Sequence, residues 1–130
     1  MSEELTFSVL SLDRAGYSAD QMNLNRPSED DEPDGVSLAV LKTAARVDVF
    51  VFRGMCPTGG YAIDVQEVSL CESEVCITVE LIDPAPGDVV TMMMTRPVKV
   101  VRFPGDTFPA RYVSVRDPDG CVHDREKINL

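Results

Sequence analysis

Short runs of alternating apolar and polar residues, not helical repeats, organise this chain. In residues 5–12, Leu5, Phe7 and Val9 alternate with Thr6 and Ser8. Leu10 and Leu12 then fill the second face, predicting a strand covered on both sides near its end. Residues 36–43 read as a strand through Val36, Leu38 and Val40, although Leu38, Leu41 and Ala45 also suit one face of a short helix. Residues 47–52 are β-branched and aromatic and form a strand ended by Arg53-Gly54. Tyr61, Ile63 and Val65 share a face, and Val68 and Leu70 continue it one residue out of phase, so a bulge is expected near Gln66-Glu67.

Val75, Ile77, Val79 and Leu81 return as the partner in a hairpin turning around Ser73-Glu74. That register sets Leu70 opposite Ile77, Val68 opposite Val79 and, on the other face, Cys71 opposite Cys76; it also sets Glu67 against Glu80. A rigid connection at Asp83-Pro84-Ala85-Pro86-Gly87-Asp88 precedes a strand over 89–95, whose Met92, Met93 and Met94 are assigned to core packing. Thr95-Arg96-Pro97 makes a corner before a strand over 98–103. Pro104-Gly105-Asp106 turns the chain, residues 112–115 form a strand, and Asp117-Pro118-Asp119-Gly120 is a turn leading into Cys121-Val122-His123. The polar tail from Asp124, with only Ile128 and Leu130 apolar, is expected to fray. The pattern predicts an all-β single domain over residues 1–130: about eight short antiparallel strands with little helix, in a two-sheet β-sandwich or a small closed barrel.

Composition narrows the function. The chain is 44% hydrophobic and 26% charged, with 12 basic and 22 acidic residues and a net charge of −10. That balance disfavours nucleic acid and anionic membranes, which require a basic footprint. The run Glu29-Asp30-Asp31-Glu32-Pro33-Asp34-Gly35 reads as part of a solvated, flexible acidic loop over residues 19–35, without the ligand spacing of a calcium loop. No apolar run is long enough to span a membrane, and the acidic start Met1-Ser2-Glu3-Glu4 is unlike a signal peptide, so a cytoplasmic location is expected. Cys56, Cys71, Cys76 and Cys121 are too scattered for a disulfide framework and are expected to be free thiols.

The unusual backbone chemistry concentrates in Gly54-Met55-Cys56-Pro57-Thr58-Gly59-Gly60-Tyr61. Pro57 fixes its own φ and extends Cys56, Gly59-Gly60 allow a close approach, and Tyr61 opens the next strand. This stretch is either a demanding turn or a binding loop. Catalytic groups are sparse. His123 and Cys121 lie two residues apart on one strand, but nothing in the sequence orients the imidazole. Cys71, Cys76, Cys121 and His123 add up to four soft ligands without a standard zinc spacing, and Cys71 with Cys76 could instead form a cross-strand disulfide. No cofactor fingerprint is present.

From about residue 49 to 103 the chain resembles the PrcB C-terminal domain family. The resemblance is carried by an apolar strand ending in Gly54, then Pro57-Thr58-Gly59-Gly60-Tyr61 with Ile63 behind it. A hairpin, Pro84 and Pro86-Gly87 follow, then Pro97 before Val98, Val100 and Val101. It implies a noncatalytic, often exported protein associated with the assembly or stability of a protease complex. A weaker similarity to chagasin-type cysteine-peptidase inhibitors rests on Pro57-Thr58-Gly59-Gly60-Tyr61 and Arg96-Pro97, with Val98 where those proteins carry tryptophan. The expected function is a noncatalytic, protein-binding accessory domain whose partner is another protein, a peptidase among the candidates. Pro57, Thr58, Gly59, Gly60, Tyr61, Arg96 and Pro97 form its expected contact surface. The alternatives are a chagasin-like inhibitor and, less favoured, a zinc- or thiol-dependent enzyme.

Overall fold

The computed structural model describes residues 7–17, 35–43, 45–90, 92, 96–104 and 110–128. The acidic run at 29–34 therefore lies outside the described residues, as do Met93 and Met94. Eight strands are present: β1 (Ser8–Leu10), β2 (Val36–Lys42), β3 (Arg46–Arg53), β4 (Ala62–Cys71), β5 (Glu74–Ile82), β6 (Val98–Pro104), β7 (Tyr112–Arg116) and β8 (Val122–Lys127). They form two four-stranded sheets, in the orders β1-β6-β3-β2 and β4-β5-β7-β8, so the fold is a two-sheet sandwich and not a closed barrel. No helix occurs among the described residues, and none is long and apolar enough to cross a membrane.

The core follows from the alternation. Val47, Val49 and Val51 of β3, Val101 and Phe103 of β6, Ile63 of β4, Val75, Ile77 and Val79 of β5, and Val113 and Val115 of β7 meet between the sheets, all nearly or fully buried. The opposite face of β3 is also covered. Phe50 packs with Val100 and Ala15, and Tyr17 meets Phe50 edge-on at 4.9 Å. The turn over 12–16 thus lies across the outer face of the first sheet and explains why Asp48, on that face, is only 1% exposed. Asp48 accepts from Tyr17 Oη at 2.6 Å, from Arg102 Nε at 2.8 Å and Nη2 at 3.1 Å, and from Arg46 Nε at 3.2 Å. Burial alone would push the Asp48 carboxyl up, but the hydrogen bonds from Arg102 and Tyr17 and the two guanidinium charges hold it below the ordinary aspartate value. Arg102 also donates to the Ala15 carbonyl at 2.7 Å, pinning the turn to the sheet.

Several expectations are corrected. The hairpin turns at Glu72-Ser73, with Glu72 at φ 56°, and its register sets Leu70 opposite Val75, Val68 opposite Ile77, Ser69 opposite Cys76 and Cys71 opposite Glu74. Cys71 and Cys76 are therefore not direct partners, and Asp64, not Glu67, faces Glu80. A slip of two residues keeps every side chain on its face, so the apolar pattern alone could not choose between the registers. The bulge between Val65 and Glu67 falls where the phase slip placed it. The strands are not all antiparallel, since β5 and β7 run parallel while the connection between them passes through the other sheet. The first strand is short, spanning only Ser8–Leu10, with Val9 at an exposed edge. Val89 and Val90 belong to no strand, and Met92 is 85% exposed rather than in the core. The tail does not fray at Asp124: β8 runs through Lys127, and Ile128 is buried with its N–H donating to the Arg111 carbonyl at 2.7 Å.

Two outcomes follow from these contacts. Asp48→Asn lowers unfolding free energy in urea at pH 7 by about 2–3 kcal/mol, because charged hydrogen bonds are lost at a buried site. A carboxyl held low stabilises the fold fully above its unfolded value of about 3.9, and this stabilisation is lost as pH falls through the lower folded value. The wild type therefore loses stability more steeply than the variant below about pH 4. Glu72→Gly raises stability by about 0.5 kcal/mol, since relief of the left-handed residue outweighs the entropy cost of glycine.

Candidate functional site

The candidate loop begins where β3 ends. The alternation that places Val47, Val49 and Val51 in the core also points Arg53 inward, and its side chain is fully buried. Arg53 Nη1 donates to the carbonyls of Ala62 and Ile82, each at 3.1 Å, and lies 3.0 Å from Asp83 Oδ1. Ala62 and Ile82 are the last partners of the β4–β5 ladder, so a guanidinium from one sheet caps the end of the other. Removing an arginine from water costs several kcal/mol, offset here by three oxygen acceptors and by the Tyr61 ring, whose centre lies 5.3 Å from the guanidinium carbon. The backbone of Arg53 holds the second loop as well, since its N–H donates to the Pro97 carbonyl at 3.0 Å.

Around this anchor the structure brings together most of the residues expected at a contact surface. Cys56 is buried, with its thiol donating to the Gly54 carbonyl at 3.6 Å, while Pro57 and Gly60 are exposed. Thr58 and Gly59 are half-buried, and Thr58 Oγ1 donates to the Gly59 carbonyl at 2.9 Å. Tyr61 is half-buried against Arg53, so it is neither sequestered nor fully offered to solvent. Pro97 sits at the same end, half-buried. Arg96 turns towards the ring of Phe52, 5.9 Å from its centre, on the opposite face of the first sheet from Arg53. The two loops adjoin through Pro97, and Arg96 is not aimed at the surface that Tyr61 shares.

The sequence reading placed a rigid connection at 83–88 but not its contact with the loop, and it assigned no role to Arg53. Gly60 adopts φ 87°, and a Cβ there would lie 2.8 Å from Val90 Cγ1 and 2.9 Å from Pro84 Cβ. The glycine is therefore required twice: by its backbone conformation and by the 83–90 connection pressed against it. With Val90 turned towards Gly60, its neighbour Val89 is fully exposed, and Met92 and Ile82 are exposed nearby in the chain. A period-2 reading carried through Arg53 would have flagged the buried arginine. Nothing in the pattern signals that 89–90 leave the sheet.

The other candidate groups are dispersed. Cys121 is exposed at the β7–β8 turn, and His123 Nε2 lies 3.6 Å from Asp117 Oδ2. Cys71 and Cys76 lie on the outer face of the second sheet, alongside Ser69, Glu74 and Ser114. Among the described residues no three His, Cys, Asp or Glu side chains are grouped to hold a metal. Gly60→Val is therefore expected to act on the fold as well as on any contact. It displaces the 83–90 connection and lowers thermal stability by about 2 kcal/mol or more, whereas Thr58→Ala changes it by less than about 1 kcal/mol.

Residues 49–104 match the family described as PrcB C-terminal. No curated protein and no solved structure matches the chain. The matched stretch takes two paired strands from each sheet, β3 with β6 and β4 with β5, and includes Arg53, the Gly60 loop and the Arg96-Pro97 corner. Over this segment the chain is similar to the PrcB C-terminal domain.

Proposed function

We propose that this chain is a noncatalytic accessory domain that binds another protein, assisting a protease or other complex, through the end of the sandwich built around Arg53. One observation carries the reading. Val89 and Met92 stand 102% and 85% exposed on a connection whose neighbouring Val90 is braced against Gly60. Water gains nothing from apolar side chains held out in this way, while a protein partner burying them would gain about 1.5–3 kcal/mol for each. Pro57, Thr58 and Gly60 lie on the adjoining loop and supply its polar and backbone contacts. The similarity of residues 49–104 to the PrcB C-terminal family supports association with a protease complex.

The absence of a catalytic role is part of the proposal, and thiol chemistry supports it. Burial first, then the hydrogen bond with Cys71, push the Cys76 thiol up to about 11, against the pull of Ser114 and Arg116. That is the wrong direction for a nucleophile. The experiment is quantitative affinity capture from the native organism with the full chain as bait. Proteins enriched by the wild type, with a protease-complex component among them, are expected to fall at least tenfold with a Val89→Ser/Met92→Ser double variant of unchanged thermal stability. Equal capture by wild type and double variant would contradict the proposal.

A further inference from the structure

The outer face of the second sheet carries a thiol pair that the binding role does not use. Cys71, near the end of β4, pairs with Glu74, and Cys76 of β5 pairs with Ser69, so the two cysteines are diagonal neighbours on one face of adjacent strands. Both are free; Cys71 is exposed and Cys76 is 4% exposed. Ser69 Oγ lies 3.8 Å from Cys71 Sγ, and Cys76 Sγ donates to Glu74 Oε2 at 3.6 Å. Glu74 is itself held by Arg125 Nε at 2.6 Å, Arg116 Nη2 at 2.7 Å and Ser114 Oγ at 3.2 Å. Beside Cys71 opens a cleft of about 370 Å³, lined by Cys71, Glu72, Ser73, Glu74, Tyr112 and Arg125. Its lining includes Cys71, so a small disulfide can reach that thiol from solvent.

We propose that Cys71 and Cys76 form a redox-active pair that a low-molecular-weight disulfide oxidises to an intramolecular cross-strand disulfide. Cys71, the accessible partner, gives its proton to solvent, and its thiolate attacks one sulfur of the small disulfide. That S–S bond breaks, and one small thiol leaves after taking up a proton. Cys76 then loses its proton to solvent, which its raised pKa makes the slow step, and attacks the Cys71 sulfur of the mixed disulfide, expelling the second small thiol, which is protonated in turn. Two protein thiols are oxidised and one small disulfide is reduced to two thiols. Diagonal neighbours start farther apart than a disulfide allows, so the last pairs of the hairpin must draw together. The adjacent two-residue turn, with Glu72 left-handed, is where that adjustment falls. Because β4 is, among the described strands, an edge strand paired with β5 alone, the bond staples a margin of the sheet.

The test incubates the folded full chain in glutathione buffers of increasing oxidised fraction. Acid quenching, alkylation and peptide mapping by mass spectrometry follow. The expected result is a monomer in which the Cys71 and Cys76 peptides lose alkylation together and appear as one linked species lacking two hydrogens. Cys76→Ala halts with glutathione on Cys71, and Cys71→Ser leaves Cys76 fully alkylatable after denaturation. A wild type that stops at the Cys71 adduct, links two chains through Cys71, or keeps both thiols in fully oxidised glutathione overturns the proposal. If either variant fails to fold, the wild-type peptide map alone decides.

Discussion

The two sheets of this domain are joined at one end by a buried cation. Hydrophobic contact along the sandwich is non-directional and sets the spacing of the sheets, but it does not specify where the end of one lies relative to the other. Arg53 supplies that direction. Its fixed guanidinium geometry reaches two carbonyls of the β4–β5 ladder end and the Asp83 carboxylate, while its own backbone fastens Pro97. Asp83 is 59% exposed, so the ion pair is anchored at one end in the core and at the other in solvent. The carbonyls contribute much of the benefit, because strand ends otherwise leave such groups without an internal partner.

A second polar network stands on the outer face of the first sheet and does a different job. Asp48 joins β3 to β6 through Arg102 and receives Tyr17 from the covering turn, so a thin segment of chain seals a face that would otherwise expose Phe50. The sandwich is closed along one side by a comparable device, where Asp124 of β8 accepts from the Leu38 N–H of β2 at 2.9 Å. The regular core holds the strands, and a few charged groups fix its margins. The Gly60 loop belongs to one such margin, rigid beneath and open above. That arrangement suits a recognition surface, because little order is lost when a partner arrives.

Much of the fold was legible because β-strand alternation is strictly periodic. The β3 core face, the bulge after Val65 and the Asp117–Gly120 turn all follow from residue types and spacing. The hairpin register was not legible, since sliding Cys71 from Cys76 to Glu74 moves the pairing by a whole pleat and changes no buried face. The extension of β8 from Asp124 to Lys127 was hidden for the opposite reason: five of the strand's six residues are exposed, so no alternation marks it, and it is held by β7 and by Arg125 on Tyr112 and Glu74. Of the candidate site, Gly60 was visible as a glycine that some close approach required, but its neighbours Pro84 and Val90 were not, because long-range contacts leave no local trace. Arg96 and Pro97 are adjacent in sequence yet diverge in space, one turning to Phe52 and the other bonded to Arg53.

The account depends on Arg53 acting locally, as the tie between sheet ends under the Gly60 loop. Residue-resolved amide hydrogen exchange, comparing the wild type with Arg53→Met, measures this directly. The account predicts that protection falls selectively at the facing ends of β4 and β5 and across residues 54–61, while the β3–β6 centre around Val49 and Val101 keeps its wild-type rates. Unchanged protection at those ends, or a uniform loss across both sheets, would contradict it.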